Sequence, residues 1–285
     1  MDLHIRDRHR LMTGAVGPRP ICWASTVDAD GRPNLAPYSF FNMFSANPPI
    51  LVFSSNRRGR DNTTKDTLHN IEATGEVVIN VVSHELVYQM NICSTDYAAD
   101  VDEFVKSGVT PVASDTVRPA RVGESPVQFE CTVDDIIHLG DEGGAGNLFL
   151  CRVRRMHVDE SILADDGLID AHRIRLVGRL GRSEYSAAFE DAVFSIDNPF
   201  TRINLGFDGL PEAIRQSPFL TGNLLARLAM ETELPSDDEI SAERVVNETF
   251  LGDEETVCAE AAARIERDDV RSALILLMTH MQSTT

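Results

Sequence analysis

Lysine is scarce in this chain: of 26 Lys and Arg residues, only Lys65 and Lys106 are lysines. Lys65 stands in "RDNTTKDTLHNIEATG" (residues 60–75), where a helical pattern begins. Asn62, Thr63 or Thr64 is the expected cap, Leu68, Ile71 and Ala73 the apolar stripe, and Gly75 the stop. A cation in the first turn of a helix opposes the macrodipole. A helix start with free N–H groups, a threonine hydroxyl and an ammonium is nevertheless an anion site, and phosphate suits it best. A bound dianion would reverse the objection to Lys65, so Lys65, Asp66 and Thr67 form the first candidate group. The competing reading is an exposed helix start with a solvated lysine.

A second group lies upstream in "APYSFFNMFSANPP" (36–49), which mixes Tyr38, Phe40, Phe41 and Phe44 with Ser39, Asn42 and Ser45. Aromatic faces and polar groups side by side suit a flat heterocycle, which needs stacking and edge hydrogen bonds. The alternative is an aromatic core strand whose serines bond locally. A ring-gripping strand and a phosphate-gripping helix start, one strand apart, together describe a flavin mononucleotide site.

The elements that must position these groups are mostly strands. "PICWASTVDADGRPNLAPYSFF" reads as a hairpin turning at Asp28–Gly31, and "PPILVFSS" as a third strand. After the helix comes the β-branched run "EVVINVVS", then an irregular, partly helical stretch over 84–125. "SPVQFECTVDDIIHLG" and "NLFLCRVRRMHVDES" form a second hairpin across "DEGGAGN", with period-2 alternation over 127–133. Strands joined by tight turns favour a small barrel over a doubly wound sheet. From about residue 186 the pattern turns helical in "LPEAIRQS", "TGNLLARLAMET", "SDDEISAERVVNETF" and "EETVCAEAAARIERDDVRSALILLMTHM", with capping-box spacing at Ser236 and Glu239.

Bulk properties exclude several functions. A formal net charge of −19 argues against nucleic-acid binding and against docking on anionic membranes. No G-x-G-x-x-G opens a helix after a strand, and no P-loop, G-x-S-x-G elbow or metal-ligand histidine spacing is present. Five widely spaced cysteines suggest reduced, buried thiols in a cytoplasmic protein. The first residues lack the apolar run of a signal peptide, and "ALILLM" (273–278) is too short to span a bilayer.

"RPICWASTVDADGRPNLAPYSFFNMFSANPPILVFS" followed by "KDTLHNIEATGEVVINVV" resembles the flavin reductase-like, FMN-binding split-barrel family, particularly its flavoredoxin-like branch. "VDEFVKSGVTPV", "ESPVQFECTV" and "RLGRSEYS" fall in the same order, so the resemblance covers roughly residues 10–187. It implies a mainly β fold: a six-stranded antiparallel split barrel over 1–187, with a helical C-terminal extension over 188–285. It also implies a homodimer with non-covalent FMN near the interface and NADH or NADPH as co-substrate, the electrons going to a small-molecule acceptor. Tyr38, Ser39, Phe40 and Asn42 then match positions on the ring and ribityl chain, and Lys65 and Thr67 match the phosphate site, with Asp66 orienting the turn. Ser25, Thr26 and Ser54 rank second. Arg179 and Tyr185 close over the ring or, the favoured reading, pack the barrel end, and Arg19 ranks lower still. No side-chain acid or base is obligatory for hydride transfer, so no catalytic residue and no metal are expected. Two other functions remain open: an FMN electron carrier or sensor serving a protein partner, and an FMN enzyme whose small-molecule site is capped by residues 200–285.

Overall fold

The structure is a computed structural model, described over residues 3–196, 202–246 and 252–284. The chain divides into two compact units, Met1–Phe194 and Ser195–Thr285. The boundary falls beyond the expected 187: residues 185–188 form a strand of the first unit, and Phe189 and Glu190 after it contact Arg175.

The first unit opens with helix α1 (Ile5–Ala15), then strands β1 (Cys22–Val27), β2 (Pro33–Tyr38), β3 (Phe41–Ala46) and β4 (Pro49–Asn56). Helix α2 (Asp66–Thr74) and β5 (Glu76–Val81) follow, then α3 (Val87–Ile92) and α4 (Glu103–Ser107). A two-residue pair, β6 (Pro111–Val112) and β7 (Arg121–Val122), precedes the long hairpin β8 (Val127–His138) and β9 (Gly146–Val158). Helix α5 (Ala171–Ile174) leads to a final hairpin, β10 (Leu176–Arg179) and β11 (Tyr185–Ala188).

The main sheet is antiparallel with seven strands in the order β2-β1-β5-β8-β9-β4-β3, not the expected six. The run read as one strand breaks at Ser39–Phe40 into two, which pair with β1 and β4 respectively. β2 and β3 therefore occupy opposite edges of the sheet although two residues separate them. Such a link spans no more than roughly 10 Å, so the sheet must curl until its edges meet. The Ser54 N–H, donating to the Phe40 carbonyl at 2.8 Å, holds that seam to β4. Both sequence-predicted groups lie at or beside the closure.

Inside, the rings of Tyr38 and Phe53 lie 5.3 Å apart, and those of Phe53 and Phe149 lie 4.7 Å apart, among Cys22, Leu51, Ile79, Cys131 and Cys151. Leu68 and Ile71 of α2 join this core, whereas Ala73 is exposed. All five cysteines are buried and unbridged. Gly75 ends α2 in the left-handed region (φ 67°), as expected. The start of α2 differs from expectation: Lys65 itself is the N-cap, with no side-chain capping bond. The other candidates are engaged elsewhere. The Asn62 Oδ1 accepts from Arg57, Thr63 donates to Asp61, and Thr64 bonds His69.

The second unit holds α6 (Glu212–Arg215), α7 (Gly222–Leu228), α8 (Asp237–Val246), α9 (Glu254–Glu266) and α10 (Val270–Thr284) around its own core of Ile214, Leu228, Ala261, Ile265 and Leu274. The capping box forms: the Ser236 N–H donates to Glu239 Oε2 (2.8 Å) and the Glu239 N–H to Ser236 Oγ (3.3 Å). The last predicted helix breaks in two at Asp268, whose φ is 65°. Residues 247–250, the end of the third predicted helix, lie outside the described residues. Among the described residues no helix is long and apolar enough to cross a membrane.

Candidate functional site

Two cavities adjoin at the barrel seam and share Tyr38 and Lys65 as a common wall. The first, of about 350 Å³, is lined by Asn34, Arg58, Arg60, Asp66, Thr67, Ser94, Thr95, Asp96 and Glu103 among others. The second, of about 370 Å³, is lined by Pro37, Ser39, Phe40, Ser54 and Asn56, with His9, Arg10, Arg19, Arg179 and Arg182 around them.

The first cavity faces the start of α2. The Leu68 N–H closes the first turn onto the Lys65 carbonyl (3.0 Å), and the N–H groups of Asp66 and Thr67 have no partner among the described residues. The Lys65 Nζ sits 5.2 Å from the centroid of the Tyr38 ring, with no hydrogen bond or ion pair among the described residues. Burial, and then the neighbouring Arg58, pull its pKa below the usual range. Arg58 and Arg60 bracket the Asp96 carboxylate, with an Arg58 Nη2 to Oδ1 distance of 2.7 Å. This is the two-guanidinium arrangement that holds an oxyanion.

Thr67 is fully buried, and its hydroxyl oxygen accepts from Tyr38 OH (2.8 Å) and from Asn34 Nδ2 (3.0 Å). It thereby ties β2 to α2 across the cavity floor, and burial pushes the Tyr38 phenol up. Thr67→Val keeps the shape but leaves a buried phenol without its acceptor. The expected cost is about 1–3 kcal/mol of stability, read by urea denaturation. An unchanged midpoint would show that the tie contributes nothing.

In the second cavity Phe40 is the exposed aromatic, at 39%. The Arg19 guanidinium lies 5.8 Å from its ring centroid and the His9 ring 6.2 Å. Ser39, Ser54 and Asn56 supply polar groups, and Ser54 Oγ donates to Asn56 Oδ1 (3.3 Å). An apolar face beside polar edges is what a planar heterocycle needs.

Tyr38, Ser39, Phe40, Ser54, Lys65, Asp66 and Thr67 are thus brought to one or both cavities. Ser25, Thr26 and Asn42 line neither. Ser25 is buried with its hydroxyl unpartnered, Thr26 accepts from Asn34 and Asn70, and Asn42 is exposed and accepts from the Met43 N–H. Arg58, Arg60, Ser94, Thr95, Asn56, Arg10 and Arg182 are additions. The basic run "NRRGR" carried a signal for the first two, while the others arrive by tertiary packing. Arg179 stacks on Tyr185 (4.7 Å), as the packing reading has it, and lines the second cavity as well.

Comparison with known proteins covers this unit. The family model described as "Flavin reductase like domain" matches residues 15–175. An uncharacterized protein of Aquifex aeolicus is 36% identical over 188 residues, which are 66% of this chain and 93% of that protein. Nitrilotriacetate monooxygenase component B from Bacillus cereus superposes with a TM-score of 0.64 at 29% identity, covering 68% of this chain and 95% of its own. A Shewanella frigidimarina protein with a split barrel domain gives a TM-score of 0.58 at 25% identity, covering 69% and 95%. The chain belongs to the flavin reductase-like domain family.

Proposed function

We propose that the first unit binds FMN non-covalently and acts as an oxidoreductase, taking hydride from NADH or NADPH and passing electrons to free flavin, a ferric complex or another small acceptor. The observation that carries this reading is the pair of adjoining cavities, one with a lysine and free helix N–H groups, the other with an exposed aromatic face and polar edges. That pairing matches the two halves of one FMN. The cofactor supplies hydride and one-electron chemistry that no side chain here possesses.

The protein's part is to bind and orient. Lys65 and the N–H groups of Asp66 and Thr67 would hold the phosphate, with Arg58 and Arg60 released to it from Asp96. Phe40 would cover the ring, and Ser39, Ser54 and Asn56 would address its edge. Tyr38 belongs to the wall and, through Thr67, fixes the distance between the two halves. No proton has to be moved by a side chain, so no catalytic residue is assigned. A homodimer is supported by the edge strand β3, which leaves Met43 63% and Phe44 70% exposed. A cytoplasmic location is supported by the five unbridged thiols.

Purified protein reconstituted with FMN should lose its visible flavin absorbance on anaerobic stopped-flow mixing with millimolar NADH or NADPH. No reduction by either nucleotide, with FMN bound, would sink the reductase reading and favour an electron carrier.

A further inference from the structure

The deepest charge in the second cavity has no counter-charge among the described residues. Arg19 is 8% exposed, and its guanidinium donates to the carbonyls of Thr13 (2.7 Å), Val16 and Leu180 (3.0 Å). Among the described residues no carboxylate pairs with it, and its Nε has no partner. A buried guanidinium without an anion is costly.

The fold places a second guanidinium beside it. The Arg19 N–H donates to the Arg179 carbonyl (2.9 Å) and the Arg179 N–H to the Arg19 carbonyl (2.8 Å), forming an isolated antiparallel bridge. Residues directly opposite in such a bridge share a face, and like charges there repel. Gly178 permits the approach: a Cβ at that position would come within 2.5 Å of Pro18 Cβ. Arg179 is likewise held by carbonyls, those of Glu184 (2.8 Å) and Arg182, and by no carboxylate among the described residues. Lys65, Arg10 and Arg182 add further cations to the lining, and among the described residues no Asp or Glu contributes to it. In a chain with 45 acidic and 26 basic residues that selection is lopsided. The first cavity, by contrast, includes Asp66, Asp96 and Glu103.

We propose that this second cavity is an oxyanion site that seats a substrate's carboxylate or phosphate against Arg19 and Arg179, beside the flavin ring. The planar guanidinium fork fits either group with two parallel hydrogen bonds. The placement beside the ring rests on the flavin reading above, whereas the cationic pocket itself does not. Two sources offer this chemistry: the carboxylate of an aromatic electron acceptor and the phosphates of the hydride donor.

The test is isothermal titration of FMN-saturated protein with benzoate, with its neutral isostere benzamide, and with NADP⁺. At least one anion should bind more tightly than benzamide and weaken as salt rises. Arg179→Gln and Arg182→Gln should each reduce its affinity, the former by roughly tenfold or more. Response to benzoate identifies the acceptor carboxylate, and response to NADP⁺ alone identifies the donor phosphates. Arg182→Gln keeps the backbone carbonyl that Arg179 uses, so it stays informative if Arg179→Gln misfolds. Equal binding of benzoate, NADP⁺ and benzamide, or anion binding unchanged in both variants, would overturn the proposal. Failure of the protein to take up FMN would refute the flavin reading instead, and the same titrations on flavin-free protein would still decide the anion site.

Discussion

Replacing Lys65 with alanine is expected to weaken FMN binding by roughly ten- to a hundredfold, the equivalent of about 1.5–3 kcal/mol for a lost charge-assisted contact. The lysine lies where a helix least tolerates a cation, it is largely desolvated, and Arg58 already repels it. In flavin-free protein, therefore, Lys65→Ala should raise stability by about 0.3–1 kcal/mol, the usual size of a charge–dipole term at a helix end. The same substitution thus acts with opposite signs on stability and on cofactor affinity. Riboflavin, which has the ring but no phosphate, supplies the control. Fluorescence titration should show a raised dissociation constant for FMN and an unmoved one for riboflavin. If both move together, Lys65 serves the ring or the fold; if neither moves, the phosphate is held elsewhere.

What the sequence made legible was local. A lysine before "DT" at a helix start and an aromatic–serine run are patterns within a few residues, and both ended at the barrel seam. The hairpins, the left-handed Gly75 and the Ser236–Glu239 box are local in the same sense. What was not legible depends on closure or competition. The break at Ser39–Phe40 exists because the sheet's edges must meet, and no Gly or turn pair in that mixed aromatic and polar run marks it. The capping assignment failed because Asn62, Thr63 and Thr64 had nearer partners in Arg57, Asp61 and His69. The Arg19–Arg179 bridge joins the two ends of the first unit, so each residue read alone was one arginine among many. Ser25 and Thr26 were placed correctly at a strand end, but β1 is buried along its whole length, which directs them into the wall.

Glu130→Ala is expected to destabilise the first unit by about 3–5 kcal/mol, the cost typical of removing one partner from a buried ionic network. Glu130 lies on β8 with no exposed side-chain surface. One oxygen accepts from the Asp115 N–H (2.9 Å) and from His157 Nε2 (2.7 Å), the other from the Thr116 N–H (2.6 Å) and hydroxyl (2.5 Å). The carboxylate thus fastens the loop between β6 and β7 onto the β8–β9 hairpin, and its removal takes the acceptor from four hydrogen bonds at once. Ligand atoms of Asp115, Glu130 and His157 lie within 4.8 Å of one another, a spacing a metal could use. Both Glu130 oxygens are nevertheless already taken by donors, and Arg155 occupies Asp115 at 2.6 Å, so the cluster acts as a structural tie. Burial alone would raise the Glu130 pKa, but the bonds from Thr116, Asp115 and His157 outweigh it and hold the carboxyl down at about 2. Because the folded value lies below the ordinary 4.5, this group's stabilisation is complete above 4.5 and is lost as pH falls toward 2. Urea midpoints measured from pH 6 to pH 3 should therefore fall more steeply for the parent protein than for Glu130→Gln, which starts lower at pH 6 and lacks the titrating group. Parallel pH profiles would show that Glu130 is not the residue whose protonation loosens the barrel.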